Sequence, residues 1–123
     1  PPASVNGTSG TGAAIEVGLH YSCAVQSGTG AVVCWGSNTY GRATPPASVN
    51  GTSGSASAIA AGWRHACAIQ SGSGAVVCWG DDALGQATPP ASVDGSSGND
   101  ASAIAVGTAA SCAIRTATST RPG

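Results

Sequence analysis

Lysine, methionine and phenylalanine are absent from this sequence, charged residues make up 7% of it, and the formal net charge is -1. Each shortage removes a class of function. Phosphate binding needs clustered Lys and Arg, and the four arginines here are scattered, so nucleic acid is not an expected partner. No apolar run approaches the roughly 18 residues of a membrane span, and no secretory signal is visible. Glu16 is the sole glutamate, which leaves no repeated acid pair for glycoside hydrolysis. No serine sits in a nucleophile-elbow pattern. Asp81-Asp82 offers too few carboxylates for calcium and reads as a turn with side-chain-to-backbone bonds. The expectation is a protein without catalytic residues, cofactor or metal.

Packing material is present but thin. Of 123 residues, 41% are hydrophobic, with Val, Ile, Cys and Trp grouped. That is enough for one ordinary domain with a narrow core.

The dominant feature is repetition. "PPASV" opens at Pro1, Pro45 and Pro89, a spacing of 44 residues both times. Cys23 recurs as Cys67, Cys34 as Cys78, and Trp35-Gly36 as Trp79-Gly80. The third unit gains one residue near Asn99-Asp100, so Cys112 lies 45 residues past Cys67. This divides the chain into 1–44, 45–88 and a partial unit, 89–123. The third unit stops before its own "AVVCWG", which leaves Cys112 as the unpaired fifth cysteine. A period of this length fits solenoids or propellers. Gly and Pro interrupt every stretch, and the apolar segments are too short for helices, so the fold class is all-β. Each unit reads as an "SAIA" strand, a "CAIQ" strand, an "AVVCWG" strand, and a short fourth strand or extended connection near "QATPPASV". About four short strands per unit describe a β-propeller blade.

Within a unit, "CAIQ" and "AVVCWG" flank the hairpin loop Ser71-Gly72-Ser73-Gly74. Pairing Gln70 with Ala75 sets Ile69 against Val76, Ala68 against Val77 and Cys67 against Cys78. A four-residue loop puts the cysteines at a non-hydrogen-bonded position, where side chains approach closely enough for a disulfide. The same count joins Cys23 to Cys34. A four-thiolate metal site is the competing reading, and the absence of any C-x2-C pair disfavours it. Disulfides imply an oxidising compartment: secreted, periplasmic or cell-surface. One face then carries Cys67, Ile69, Val76 and Cys78, and the other carries Ala68, Val77 and Trp79. Both faces are apolar, so each needs a covering neighbour. Trp35 and Trp79 are the expected fillers between blades.

The stretch "AIAAGWRHACAIQSGSGAVVCWGDDALGQATPP" resembles the regulator of chromosome condensation repeat, in its secreted or bacterial-type form with paired cysteines. The matching positions are Gly62, His65, Cys67, Ala68, Gly74, Val76, Cys78, Trp79, Gly80, Gly85 and Gln86. The resemblance implies a β-propeller, usually seven-bladed, whose rigid disc presents loops to another macromolecule. Tyr21 and Ala110 replace the family histidine in the other two units, and Arg42 replaces the family glutamine in the first. His65 is therefore read as a structural histidine bonding nearby backbone, and His20 lies one residue out of register with it. The family's founding activity is nucleotide exchange on a small nuclear GTPase with chromatin binding. It belongs to a reducing compartment and is the most distant of the readings here.

A closed propeller has about 4–8 blades, and 2.5–3 repeats leave apolar faces bare. The expectation is an incomplete propeller or assembly module, a fragment of a longer array or a unit that joins other copies into a ring or filament. Asn6 and Asn50, each in "NGT", match the N-glycosylation acceptor pattern, with Asn-Gly as a tight turn the alternative. The leading functional expectation is a non-enzymatic extracellular structural module whose partners are other copies of the chain or further repeats. The runner-up is a binder of a protein or glycan. Near-identical loops favour the former, because a specific binder needs loops that differ between blades.

Overall fold

A computed structural model of the chain describes residues 12–82, 85, 87–89, 101–107 and 111–115, together with Pro2, Val5 and Gly7. Eight strands occur among them, in chain order. These are β1 (Gly12–Val17), β2 (Tyr21–Gln26), β3 (Val32–Gly36), β4 (Ala56–Ala61), β5 (His65–Gln70), β6 (Val76–Gly80), β7 (Ala101–Val106) and β8 (Ser111–Arg115). They form antiparallel sheets ordered β1-β2-β3, β4-β5-β6 and β7-β8, one per sequence unit. The fold is all-β, and each sheet is a propeller-type blade.

The hairpin count made from sequence matches the register. Cys67 pairs with Cys78, Ala68 with Val77 and Ile69 with Val76, and Cys23 pairs with Cys34 in the first unit. The Gln70 amide closes the loop on Ala75 O at 2.8 Å. Gly80 ends the phrase at φ +108°, where a side chain would run into the carbonyl of Arg64. That is why Trp is followed by Gly each time. Each first strand carries the same register shift near its start, at Gly12/Ala14, Ala56/Ala58 and Ala101/Ala103.

In the first unit the fourth element is a connection rather than a strand, and the corresponding "QATPPASV" stretch of the second unit lies largely outside the described residues. Between β3 and β4 the described chain holds one 3-10 turn, Thr39–Gly41, and then turns. Pro45 and Pro46 have no N–H to give a ladder. Instead Pro46 O accepts from the Val49 and Asn50 amides, and one backbone bond, Val32 N to Val49 O at 2.9 Å, ties the connection to β3. Val49 is completely buried there.

The core lies between blades. One cluster joins Tyr21, Cys23, Val25 and Val32 of the first unit to Ile59, Ala66, Ala68 and Trp79 of the second. A second cluster joins Cys67, Ile69 and Val76 to Ala101, with Ile104 and Val106 packed against it. β5 is thus covered on both faces, which is why its sequence shows no polar alternation.

Candidate functional site

The chemistry of this chain is concentrated at the junctions between units. At the first junction, Tyr21 is 3% exposed. Its hydroxyl lies 2.6 Å from His65 O and 2.9 Å from Gly62 O and donates its proton to that carbonyl pair, across 41 to 44 residues of sequence. Burial pushes its pKa up to about 12, against a smaller opposing pull from Arg42 and from the bond to Gly62, so the phenol remains a donor. Gly18 and Gly62 let the units approach. A Cβ at Gly18 would overlap Gly62 O and the Tyr21 ring, and one at Gly62 would overlap Gly107 O.

Arg42 organises the same junction, a role that its replacing a glutamine does not announce in the residues around it. It is buried. Its Nη1 donates to Trp63 O at 3.2 Å, its Nη2 donates to Ser37 Oγ at 2.8 Å, and its guanidinium lies 5.7 Å from the centre of the Tyr21 ring. Its carbonyl accepts from Trp79 Nε1 at 3.0 Å. Trp79 therefore fills the space between units and is anchored by its one polar atom. Trp35, in the identical phrase, is only half-buried and borders an open hollow with Val5, Ile15 and Ala24.

At the second junction, the position of Tyr21 is taken by His65, which is fully buried. Imidazole is shorter than phenol, and its partner is Ser111 of the third unit (Nε2 to Oγ, 2.7 Å) rather than nearby backbone as the sequence suggested. Its Nδ1 is buried without a hydrogen-bond partner. An unprotonated Nδ1 tolerates this, whereas an added proton would have no acceptor. Burial accordingly holds the His65 pKa below its ordinary 6.5, with Asp81 and Asp82 pulling weakly the other way. The unfolded chain takes up the proton first, so the stability given by neutral His65 is complete above about pH 6.5. It is lost as pH falls through that value towards the lowered folded one. The urea midpoint is expected to drop between pH 7.5 and 5. His65→Gln should flatten that drop, and an unchanged slope would show that another group controls it.

The bridges Cys23–Cys34 and Cys67–Cys78 are formed. Cys23 and Cys67 point into the clusters that meet the next unit. Cys112 pairs through its backbone with Ala105, and its side chain lies outside the described residues, as does Asn6. Asn50 acts as a turn residue: its Oδ1 accepts from the Thr52 amide at 2.9 Å and its Nδ2 donates to Pro45 O at 3.2 Å. Asp82 caps its loop as expected, accepting from the Ala87 amide and the Thr88 hydroxyl, and Asn38 does the same for Ala43 and Thr44. Among the described residues no three His, Cys, Asp or Glu side chains gather as metal ligands, and no helix is long and apolar enough to cross a membrane.

This arrangement of blades has known counterparts. The CRINKLY WD40 ectodomain of the Arabidopsis thaliana receptor kinase ACR4 is similar, with TM-score 0.63, 24% identity, and coverage of 94% of this chain and 36% of that one. The entire ectodomain of the Physcomitrella patens receptor kinase CR4 is similar at TM-score 0.64 and 17% identity, covering 90% of this chain and 26% of that one. The chain thus spans about a third or less of either structure, and at these identities the likeness concerns the fold. No curated protein matches. The cysteine hairpin and its flanks, residues 56–86, match the family model of the Regulator of chromosome condensation (RCC1) repeat.

Proposed function

We propose that the chain is a non-enzymatic, extracellular β-propeller repeat module whose role is structural: it stacks on further blades, from other copies of the chain or from further repeats. One observation carries this reading. All of β1 is exposed, with Ile15 at 60%, whereas its counterpart Ile59 in β4 is 9% exposed because the first unit covers it. Val17 is 68% exposed on the same strand. An apolar blade face of this kind calls for a neighbour. Two disulfides support an oxidising compartment. Repeated head-to-tail stacking gives a ring if the rotation closes and a filament if it does not. Sedimentation velocity over a concentration series tests the proposal. Association is expected for the native chain and is abolished by Ile15→Asp, while a native chain that stays monomeric at every concentration would count against it.

A second reading, binding of a protein or glycan at one rim, has its own support. Trp63 and Tyr40 are each more than half exposed. Arg64, next to Trp63, holds its guanidinium 5.8 Å from the Tyr40 ring centre. Tyr40 and His20 both adopt positive φ, a strained choice for non-glycine residues that often marks functional loops. A glycan array hit that disappears with Trp63→Ala would favour it. Glycosylation at Asn50 belongs with the extracellular reading, and intact mass before and after deglycosylation checks it.

A further inference from the structure

We infer that the seam between the second and third units is an acid-operated joint: protonation of His65 lifts the third sheet off the second, while the seam between the first and second units stays shut. The inference is independent of the stacking role proposed above and concerns only contacts inside the chain.

The two seams differ in the group at their centre. At the first, Tyr21 gives its hydroxyl proton to the carbonyls of Gly62 and His65. A phenol keeps the same charge through mildly acid and neutral pH. At the second, His65 is fully buried and its Nε2 lies 2.7 Å from Ser111 Oγ. Its Nδ1 is buried with no hydrogen-bond partner. Protonation leaves the Ser111 bond in place but adds an N–H and a positive charge where nothing accepts them.

The groups around the ring do not compensate. β4 and β7 carry no titratable side chain, and the cysteines of β5 and β6 are bridged. Asp81 and Asp82, beyond β6, favour the charged ring, but burial disfavours it more. The first unit brings Tyr21 and Arg42, and Arg64 precedes His65 in the chain with its guanidinium 5.8 Å from the Tyr40 ring centre. β8 carries Cys112 and Arg115, the latter paired with Ala101 at the far end of its hairpin.

A charged His65 needs water, and the two sides of the ring differ in how firmly they are held. Towards the first unit the β4–β5 turn is bolted down, by the Tyr21 hydroxyl on Gly62 O and His65 O and by Arg42 Nη1 on Trp63 O. The Cys67–Cys78 bridge ties β5 to β6. Towards the third unit the attachments are slighter. Ser111 Oγ meets His65 Nε2 and, at 3.5 Å, Cys67 Sγ. The Ala101 amide meets Gly74 O, and Cys67, Ile69, Val76 and Ala101 form the smaller apolar cluster. Among the described residues no disulfide ties β7 to β8. Local opening starts where such attachments are weakest. Lifting the third sheet uncovers Cys67, Ile69 and Val76, so this apolar face is hidden at neutral pH and presented in acid.

Two equivalent amides report the two seams. Ala56 N bonds Gly30 O across the first at 2.8 Å, and Ala101 N bonds Gly74 O across the second at 2.9 Å. Hydrogen exchange of the full chain is measured at pH 7.5 and 5.0 and expressed as protection relative to the unstructured chain. Ala101 protection is expected to fall about tenfold, within the ceiling of roughly thirtyfold that a free imidazole pKa of about 6.5 sets at pH 5. Ala56 protection should change by less than about twofold. His65→Gln, neutral at both pH values, should abolish the Ala101 fall. In the native chain, the imidazole carbon signal of His65 followed by NMR should titrate with the same midpoint as Ala101 protection, a readout that does not depend on the variant folding. Equal losses at Ala56 and Ala101, an unprotected or pH-independent Ala101, a fall that persists in His65→Gln, or different midpoints would each overturn the inference.

Discussion

Trp79→Ala is expected to cost about 3–5 kcal/mol of stability, and Trp35→Ala about 1 kcal/mol, although the two residues sit in the same "AVVCWG" phrase. The difference comes from their surroundings. Trp79 is 7% exposed, packs in the cluster that joins the first and second units, and donates its indole N–H to Arg42 O. Its removal leaves a cavity between blades whose walls are β-sheets that cannot collapse inward, together with a carbonyl that loses its donor. Trp35 borders an open hollow, and truncation there removes contacts without creating an enclosed void. A domain of this size has about 5–15 kcal/mol in hand, so the Trp79 variant should show a much lower urea midpoint or no cooperative transition. Equal losses at the two sites would mean that something covers Trp35 in solution. Repeating the Trp35 measurement in the Ile15→Asp background would then show whether that cover is the stacking proposed here.

Reduction of both disulfides is expected to destabilise the chain by about 4–6 kcal/mol, from about 2–3 kcal/mol for each loop of a dozen residues. The bridges lie in different blades, and most of their effect is on the unfolded chain, so the contributions should come close to adding. Each closes a span of 11 residues. A core assembled from Ala, Val and Ile has little surplus with which to absorb the loss. Alkylation under denaturing conditions without reductant should modify none of Cys23, Cys34, Cys67 and Cys78. After reduction, the thermal midpoint should fall by more than 15 °C. A midpoint that hardly moves would place the stability in the blade junctions alone and remove the bridges as a structural necessity.

Much of this protein was legible in its residues. The Ser71–Gly74 loop fixed the hairpin count. The count set cysteine against cysteine, because antiparallel pairing is a local rule with a period of two. Apolar residues on both faces of "CAIQ" and "AVVCWG" required two neighbours, and the clusters on either side of β5 are those neighbours. Where the reading was incomplete, the missing information was not local. The stretch near "QATPPASV" leaves strand and connection both open; its counterpart in the first unit, residues 42–49, turns because Pro45 and Pro46 give no N–H to a ladder and Val49 is buried against β3.

What the sequence by itself determined is the blade: the period, the hairpin, the bridges and the need for cover. Only the tertiary structure decided what happens between blades. Arg42 reads as a surface charge in any window of sequence, and it becomes a buried hub because stacking brings Trp63 O and the Trp79 indole to it. His65 reads as a residue for nearby backbone, and it bonds Ser111 because the third unit lies against the second. Identical phrases give a buried Trp79 and an open Trp35 because burial depends on what stands opposite, and no stretch of chain encodes its neighbour's presence within its own residues.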